Sequence, residues 1–168
     1  AELRKFDIGR MNPESAYSKF FPAQVAADGA KMPTLREVVR YIRKTTRGKM
    51  GFQIEMKTHP THPEFSADPV KFAEALARVL HSERIVEQTE IQAFDFSCLE
   101  ALHGIDSRFK TAFLTSRDNE VGGADDFLHA DPKIATSWTG GKNLRDYGSS
   151  IPKMVKALGG HAWEPEDA

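Results

Sequence analysis

Cysteine is almost absent from this sequence, since Cys98 is the only one among 168 residues. A single cysteine excludes an internal disulfide framework. Long apolar runs are also missing, because no window approaches the roughly 18 uninterrupted apolar residues that a membrane-spanning helix needs. We therefore expect no integral membrane segment and a globular chain whose core is built from its 40% of apolar residues.

An excess of charge of either sign is likewise missing. Lysine and arginine together number 23, and aspartate and glutamate together number 24. A chain without a basic field has no general attraction for nucleic acid or for an anionic membrane surface. We therefore predict no nucleic-acid partner, and an anionic ligand would have to be bound by local charges.

The spacings of common ligand-binding motifs are absent too. The segments "RGKMG" and "GGK" contain glycine and lysine without the spacing of a phosphate-binding loop. His59 and His62 each precede a proline, which disfavours the helix on which zinc-binding histidine pairs are often placed. We interpret both as loop residues or substrate contacts rather than metal ligands. Cys98 is interpreted as a small buried residue, the alternative being a reactive thiol at a helix start.

What the sequence does contain is an alternation of strands and helices. "GFQIEMKT", "EQTEIQAFDF" and "FKTAFLTS" have strand character, and helical segments precede, separate and follow them. Thr34 and Glu37 predict a capping box, Asp68 before Pro69 predicts a second helix start, and Ser150 predicts a third. This order indicates an α/β fold with a parallel sheet. Residues 1–33 are predicted to be irregular, and residues 117–133 to form a long loop.

The strand "GFQIEMKT" carries the most informative pair of side chains. Apolar and polar residues alternate, so Glu55 and Lys57 are predicted on one face, roughly 6.5–7 Å apart along the strand. A carboxylate can hold a hard divalent cation, and an ammonium can bind a phosphate oxygen. The pair therefore suits a metal-assisted phosphoester site, although an exposed strand face with an incidental ion pair has the same pattern.

Four segments in order carry a family resemblance: "MPTLREV", "IEMK", "IQAFDFSCLEAL" and "TAFLT". Together they resemble the middle of the glycerophosphodiester phosphodiesterase family, whose third motif has serine where this chain has Ala93. The flanking "ELRKFDIGR" and "SSIPKMVKALGGHAWEP" resemble the larger bacterial members. Most of the chain is covered by the resemblance.

The resemblance implies a (β/α)₈ TIM barrel with its site at the carboxyl ends of the strands. We predict that residues 1–168 form a single domain that is an incomplete barrel, lacking the first two βα units and the last strand or strands. Such barrels usually need roughly 250 residues. The family's histidine-arginine-glycine motif, Glu-x-Asp pair and His-Asp pair do not occur here, and with them the acid/base histidines, the phosphate-binding arginine and two metal ligands are missing.

The resemblance also implies an activity, namely the hydrolysis of glycerophosphodiesters to glycerol 3-phosphate and an alcohol with Mg²⁺ or Ca²⁺. Glu55 matches the family's metal-binding glutamate, and Lys57 matches its catalytic lysine beside the substrate phosphate. The residues that this view assigns to contacts with the small-molecule substrate are Lys57, His59, His62, Gln92, Phe94 and Trp163.

Two other functions remain open at this point. The chain could be a catalytically incompetent barrel fragment that serves as a binding or structural module, or an aldolase-like barrel in which Lys57 forms a Schiff base. We expect the isolated 168 residues to be inactive and, because an incomplete barrel exposes sheet edges, to self-associate. A periplasmic or secreted location is favoured over a cytoplasmic one, while the alcohol, the metal and the oligomeric state stay open.

Overall fold

The computed structural model describes residues 2–116 and 136–165. It divides into two compact units, residues 1–49 and 50–168. The loop predicted at residues 117–133 lies outside the described residues, and the assignment of residues 1–168 to a single domain stays a prediction. Among the described residues, no helix is long and apolar enough to cross a membrane.

The N-terminal unit is irregular up to its one α-helix. Short 3₁₀ turns at Leu3–Lys5 and Ala16–Phe20 precede helix α1, Leu35–Thr46. The hydroxyl of Thr34 accepts the Glu37 N–H at 3.2 Å, and the Glu37 carboxylate accepts the Thr34 N–H at 2.8 Å. The predicted capping box and the irregular start are thus confirmed.

The second unit is built around a four-stranded parallel sheet. Its strands are β1 (Phe52–Glu55), β2 (Thr89–Ala93), β3 (Lys110–Thr115) and β4 (Ala162–Pro165). They lie side by side in chain order, and each is parallel to the next. The predicted α/β layout with a parallel sheet is therefore confirmed.

In the described ranges, three α-helices lie between these strands: α2 (Pro69–Glu83), α3 (Phe96–Ile105) and α4 (Ile151–Ala157). Asp68 caps α2 as predicted, because its side chain accepts the Lys71 N–H at 3.0 Å. Ser150 is the residue before α4, but its side chain makes no capping hydrogen bond. The backbone conformation and a proline in the first turn define that helix start instead.

The core lies between the sheet and helices α2 and α3. Ile91 and Phe113 are fully buried on this outer face, and Phe113 meets Phe96 of α3 edge to face at 4.7 Å. Residues in register on parallel strands share a face, so the alternate positions point to the other side of the sheet. Those inner positions include Gln53, Glu55, Glu90 and Gln92, which leaves a polar face available for a site.

Candidate functional site

Glu55 and Lys57 lie side by side where β1 ends. The Lys57 Nζ is 3.4 Å from the Glu55 Oε2, and the Glu55 side chain is 24% exposed against 81% for Lys57. Met56, between them, is buried on the opposite face. The alternation of the strand therefore separates the packing role of Met56 from the polar pair, as the sequence predicts.

A cleft of about 350 Å³ opens beside this pair. Its walls come from the end of β1, the loop that follows, the end of β2 and a turn before α4. The lining residues are Glu55, Met56, Lys57, Thr58, His59, Phe65, Ser66, Phe94 and Trp138. The cleft is thus lined by one carboxylate, that of Glu55, and one ammonium, that of Lys57. Most of the other lining side chains are aromatic or carry a hydroxyl.

Aromatic rings form one side of the cleft. The ring centroid of His59 lies 4.9 Å from that of His62 and 5.2 Å from that of Trp138. Phe65 stacks on His62 with ring centroids 5.1 Å apart. The two histidines proposed as substrate contacts are thus together in the loop after β1, with His59 lining the cleft and His62 behind it. Aromatic walls of this kind bind apolar and cationic parts of ligands.

Gln92 lies on the inner face of β2, and Phe94 directly follows that strand. Gln92 is in register with Glu55, and its carbonyl accepts the Met56 N–H at 2.8 Å. Phe94 lines the cleft, whereas Gln92 lies next to Glu55 outside the lining. The structure therefore places both near the polar pair, and the contact of either with a substrate stays a prediction.

Trp163 lies on the other side of the sheet, away from the cleft. It is in register with Phe113, whose side chain is buried on the outer face. Its indole N–H donates to the Thr115 hydroxyl at 3.0 Å. The neighbouring Glu164 faces inward, where it accepts a hydrogen bond from Gln53. The alternation of β4 therefore turns Glu164 inward rather than Trp163, and the contact of Trp163 with a substrate stays a prediction.

Trp138 occupies the wall that Trp163 was expected to supply. Trp138 is 4% exposed, and its backbone carbonyl accepts the N–H of Phe96 at 2.9 Å, which ties this turn to the start of α3. Its indole N–H has no hydrogen-bond acceptor within the described ranges. The two tryptophans are alike as residue types, and the packing of this turn on α3 is what brings Trp138 to the cleft.

A buried polar cluster lies directly behind the cleft. Asp95 is 1% exposed, and its side chain accepts hydrogen bonds from the Thr58 hydroxyl at 2.7 Å and the Ser97 N–H at 3.0 Å. Cys98 lies 3.0 Å from the same hydroxyl. Burial raises the pKa of the Cys98 thiol to about 12, so this cysteine is a structural residue, as the sequence predicts, and not a reactive one.

The residues that could hold a metal ion are few in the described part of the chain. No group of three or more histidine, cysteine, aspartate or glutamate residues converges there. Glu55 has the hard oxygen donor that Mg²⁺ and Ca²⁺ prefer, and it borders an open cleft. These cations take about six or more oxygen ligands, so Glu55 fits as one ligand among several.

A wider groove, of about 590 Å³, lies within the N-terminal unit. Its lining, from residues 11, 17 and 20–24, contains no carboxylate, amine or imidazole that could do acid-base or metal chemistry. The smaller cleft beside Glu55 is therefore the better candidate for a catalytic or binding site.

Comparison with known proteins supports this view of the fold. No family model matches the sequence, and no curated protein matches it. A solved structure from Silicibacter pomeroyi, with the proposed identity of a glycerophosphoryl diester phosphodiesterase, superposes with a TM-score of 0.72 at 20% identity over 98% of this chain. The chain shares the fold of that protein.

The four parallel strands correspond to part of the (β/α)₈ barrel of that neighbour, which is the type of fold that the motifs predict. The chain spans 48% of the Silicibacter structure. Proteins described as glycerophosphodiester phosphodiesterases from Galdieria sulphuraria and Parabacteroides distasonis also match, with TM-scores of 0.46 and 0.42 at 10% and 13% identity over 96% and 92% of this chain. This chain spans 70% and 60% of those two structures.

Proposed function

We propose that the protein hydrolyses glycerophosphodiesters to glycerol 3-phosphate and an alcohol with the help of a divalent cation. The observation that carries the proposal is the placement of Glu55 and Lys57, 3.4 Å apart beside a cleft at the carboxyl end of β1. Sites of such barrels lie at the carboxyl ends of the strands. The fold likeness to a protein described as a phosphodiesterase supports this choice of chemistry.

Lys57 is proposed to stabilise the negative charge of the phosphoryl group. Its ammonium is largely exposed at the cleft, so it can turn from Glu55 toward a phosphate oxygen. A lysine acts on phosphate as a compact point charge with three donors. Charge stabilisation of this kind is most effective where it is stronger in the transition state than in the ground state.

Glu55 is proposed to be one ligand of the divalent cation. When bound, Mg²⁺ or Ca²⁺ would polarise the phosphoryl group and neutralise developing charge. Glu55 also restricts the conformations of the Lys57 side chain, because the two side chains form an ion pair. The two roles would be coupled, because the Lys57 ammonium would be free to bind phosphate if Glu55 held a cation instead.

His59, Phe65, Phe94 and Trp138 are proposed to enclose the organic part of the substrate. They line the same cleft as the charged pair. Pockets of this type combine apolar walls with a few polar groups that orient the ligand. His62 supports this wall through its contact with His59 rather than by lining the cleft itself.

The experiment is hydrolysis of glycerophosphocholine by the full-length protein with Mg²⁺ or Ca²⁺. We expect Glu55→Gln and Lys57→Met each to lower kcat/KM by about 10²-fold or more, the size typical for removing one group that stabilises transition-state charge. Glu87→Gln and Lys156→Met remove equivalent charges elsewhere on the unit and should leave the rate unchanged. Undiminished metal-dependent turnover in Glu55→Gln would contradict the assignment.

A protein that bound glycerol 3-phosphate without any turnover would instead support the binding-module alternative. The Schiff-base alternative requires a desolvated lysine that loses its proton readily. Lys57 is 81% exposed and paired with a carboxylate, so it lacks the desolvated surroundings that this chemistry requires. Trapping of a carbonyl substrate on Lys57 by borohydride would reverse this preference.

A further inference from the structure

We propose that Thr58 and Asp95 are positioning residues that hold Lys57 beside the cleft, where its ammonium would meet the phosphate of the substrate. The inference rests on the proposed function of Lys57. Neither Thr58 nor Asp95 is proposed to contact the substrate. It is carried by the hydrogen bond of 2.7 Å from the Thr58 hydroxyl to the Asp95 carboxylate. This bond joins the residue after Lys57 to the start of α3.

The sheet itself holds the chain only up to the residue before Lys57. The N–H of Met56 donates to the Gln92 carbonyl at 2.8 Å, and β1 has ended by this point. Two residues beyond Lys57, the His59 N–H donates to the Ser66 hydroxyl at 3.0 Å. Between these two backbone hydrogen bonds, the side chain of Thr58 makes a third hydrogen bond that fixes the loop. Thr58 is the residue directly after Lys57.

Asp95 is a firm anchor because its other bonds fix it in place. Its second oxygen accepts the Ser97 N–H at 3.0 Å, which caps the ten-residue helix α3. The residue is buried, so water does not compete for its oxygens. A carboxylate at a helix N-terminus is also favoured by the helix dipole. The helix start, the end of β2 and the loop after β1 are thereby held together through one side chain.

Thr58→Val tests the bond with little change in shape. The variant keeps the Asp95–Ser97 cap and removes only the hydroxyl. Thr58→Ser restores the hydroxyl, and Thr111→Val is the matched control, because it removes a buried hydroxyl that contacts His103 at 3.1 Å on the outer face. Comparison of these variants separates loss of this particular anchor from the general cost of a lost buried hydroxyl.

The first measurement is amide hydrogen exchange in the full-length protein. We expect Thr58→Val to speed exchange at residues 57–59 by about tenfold, the size that loss of a hydrogen bond to a charged group implies. Thr58→Ser and Thr111→Val should leave exchange at residues 57–59 close to the wild-type rate. Unchanged exchange there in Thr58→Val would overturn the proposal, whether or not the protein has diesterase activity.

The second measurement is a double-mutant cycle for glycerol 3-phosphate binding by calorimetry. Thr58→Val should weaken binding about tenfold in the wild-type background and have no further effect in Lys57→Met, because the two changes act on one interaction. An equal loss in both backgrounds would show that Thr58 acts independently of Lys57 and would overturn the proposal. Absence of wild-type binding would count against the proposed function, and the exchange result would still decide the role of Thr58.

Discussion

Gln53 shows how single residues organise the inner face of the sheet. Its side-chain nitrogen lies 3.3 Å from a Glu90 oxygen and 3.2 Å from a Glu164 oxygen, so it donates to two carboxylates on two other strands. An amide carries two N–H donors and can serve both acceptors at once. The strand alternation predicts the inward direction of Gln53, but its distant partner Glu164 could not be predicted without the order of the strands.

Asp106 has a carboxyl group whose pKa lies well below its usual value. Hydrogen bonds from the Arg108 side chain lower the pKa of its carboxyl group to about 2, with smaller contributions from the Arg108 N–H and from His81. The two side chains meet at 2.7 Å just after α3 ends. A lowered pKa in the folded state stabilises the fold at any pH above the unfolded value near 3.9, and this stabilisation is lost as the pH falls through the folded value.

We therefore expect Asp106→Asn to lower the urea midpoint of unfolding at pH 7. The difference from the wild type should shrink steadily as the pH is lowered from about 4 toward 2, because the wild-type carboxylate is then protonated. Equilibrium urea unfolding at a series of pH values measures this. Asp146→Asn, on an exposed turn, is the control for loss of a negative charge. A pH-independent difference would show that the effect is not electrostatic.

At the scale of elements, the junction between α4 and β4 depends on the absence of a side chain. A Cβ added at Gly160 would lie 2.5 Å from the Val155 Cγ1 and 2.8 Å from the Phe113 Cε2. Both neighbours are buried side chains of the second unit and have little room to move. The strand therefore approaches α4 closely only because residue 160 is glycine.

Gly160→Ala is expected to destabilise the protein by about 1–3 kcal/mol, the usual cost of overfilling a packed core. Gly104→Ala is the matched control, because a Cβ at that helical position meets no atom within 4 Å. It should leave stability unchanged or raise it by up to about 1 kcal/mol through helix propensity. Thermal and urea unfolding of both variants measures the contrast, and equal midpoints would contradict the packing argument.

The elements themselves follow closely from the sequence because their signals are local. The capping box of α1 and the Asp68 cap of α2 each involve residues within one turn, and the alternation of β1 places Glu55 and Lys57 together. The positions of Trp138 and Trp163 could not be predicted from local sequence patterns. The pattern of "HAWEP" does not reveal which side of β4 faces inward, whereas the backbone bond to α3 that brings Trp138 to the cleft is a tertiary contact.

At the scale of the whole molecule, the sheet ends in two strands with one neighbour each. Among the described strands, β1 pairs only with β2, and β4 pairs only with β3. Unpaired strand edges present free N–H and C=O groups that can pair with another chain. The motif order predicts the type of barrel, but the sequence alone does not show what covers these two edges.

We accordingly expect the 168-residue chain, expressed alone, to self-associate. Sedimentation velocity over a range of concentrations should show species larger than the monomer that grow with concentration. A polypeptide that carries the same residues within a complete closed barrel should sediment as one species, because closure removes the edges. A monodisperse 168-residue monomer with a single cooperative unfolding transition would contradict this expectation.

The agreement between strand order and chain order has a consequence for synthesis on the ribosome. Each strand from β2 to β4 finds its partner in the strand made just before it. Translation delivers about 5–20 residues per second, far more slowly than helices and short-range contacts form. The sheet can therefore grow outward one strand at a time from the nascent chain. Glu55 at the end of β1 and Lys57 just after it are made before Trp138, which completes the wall of the cleft.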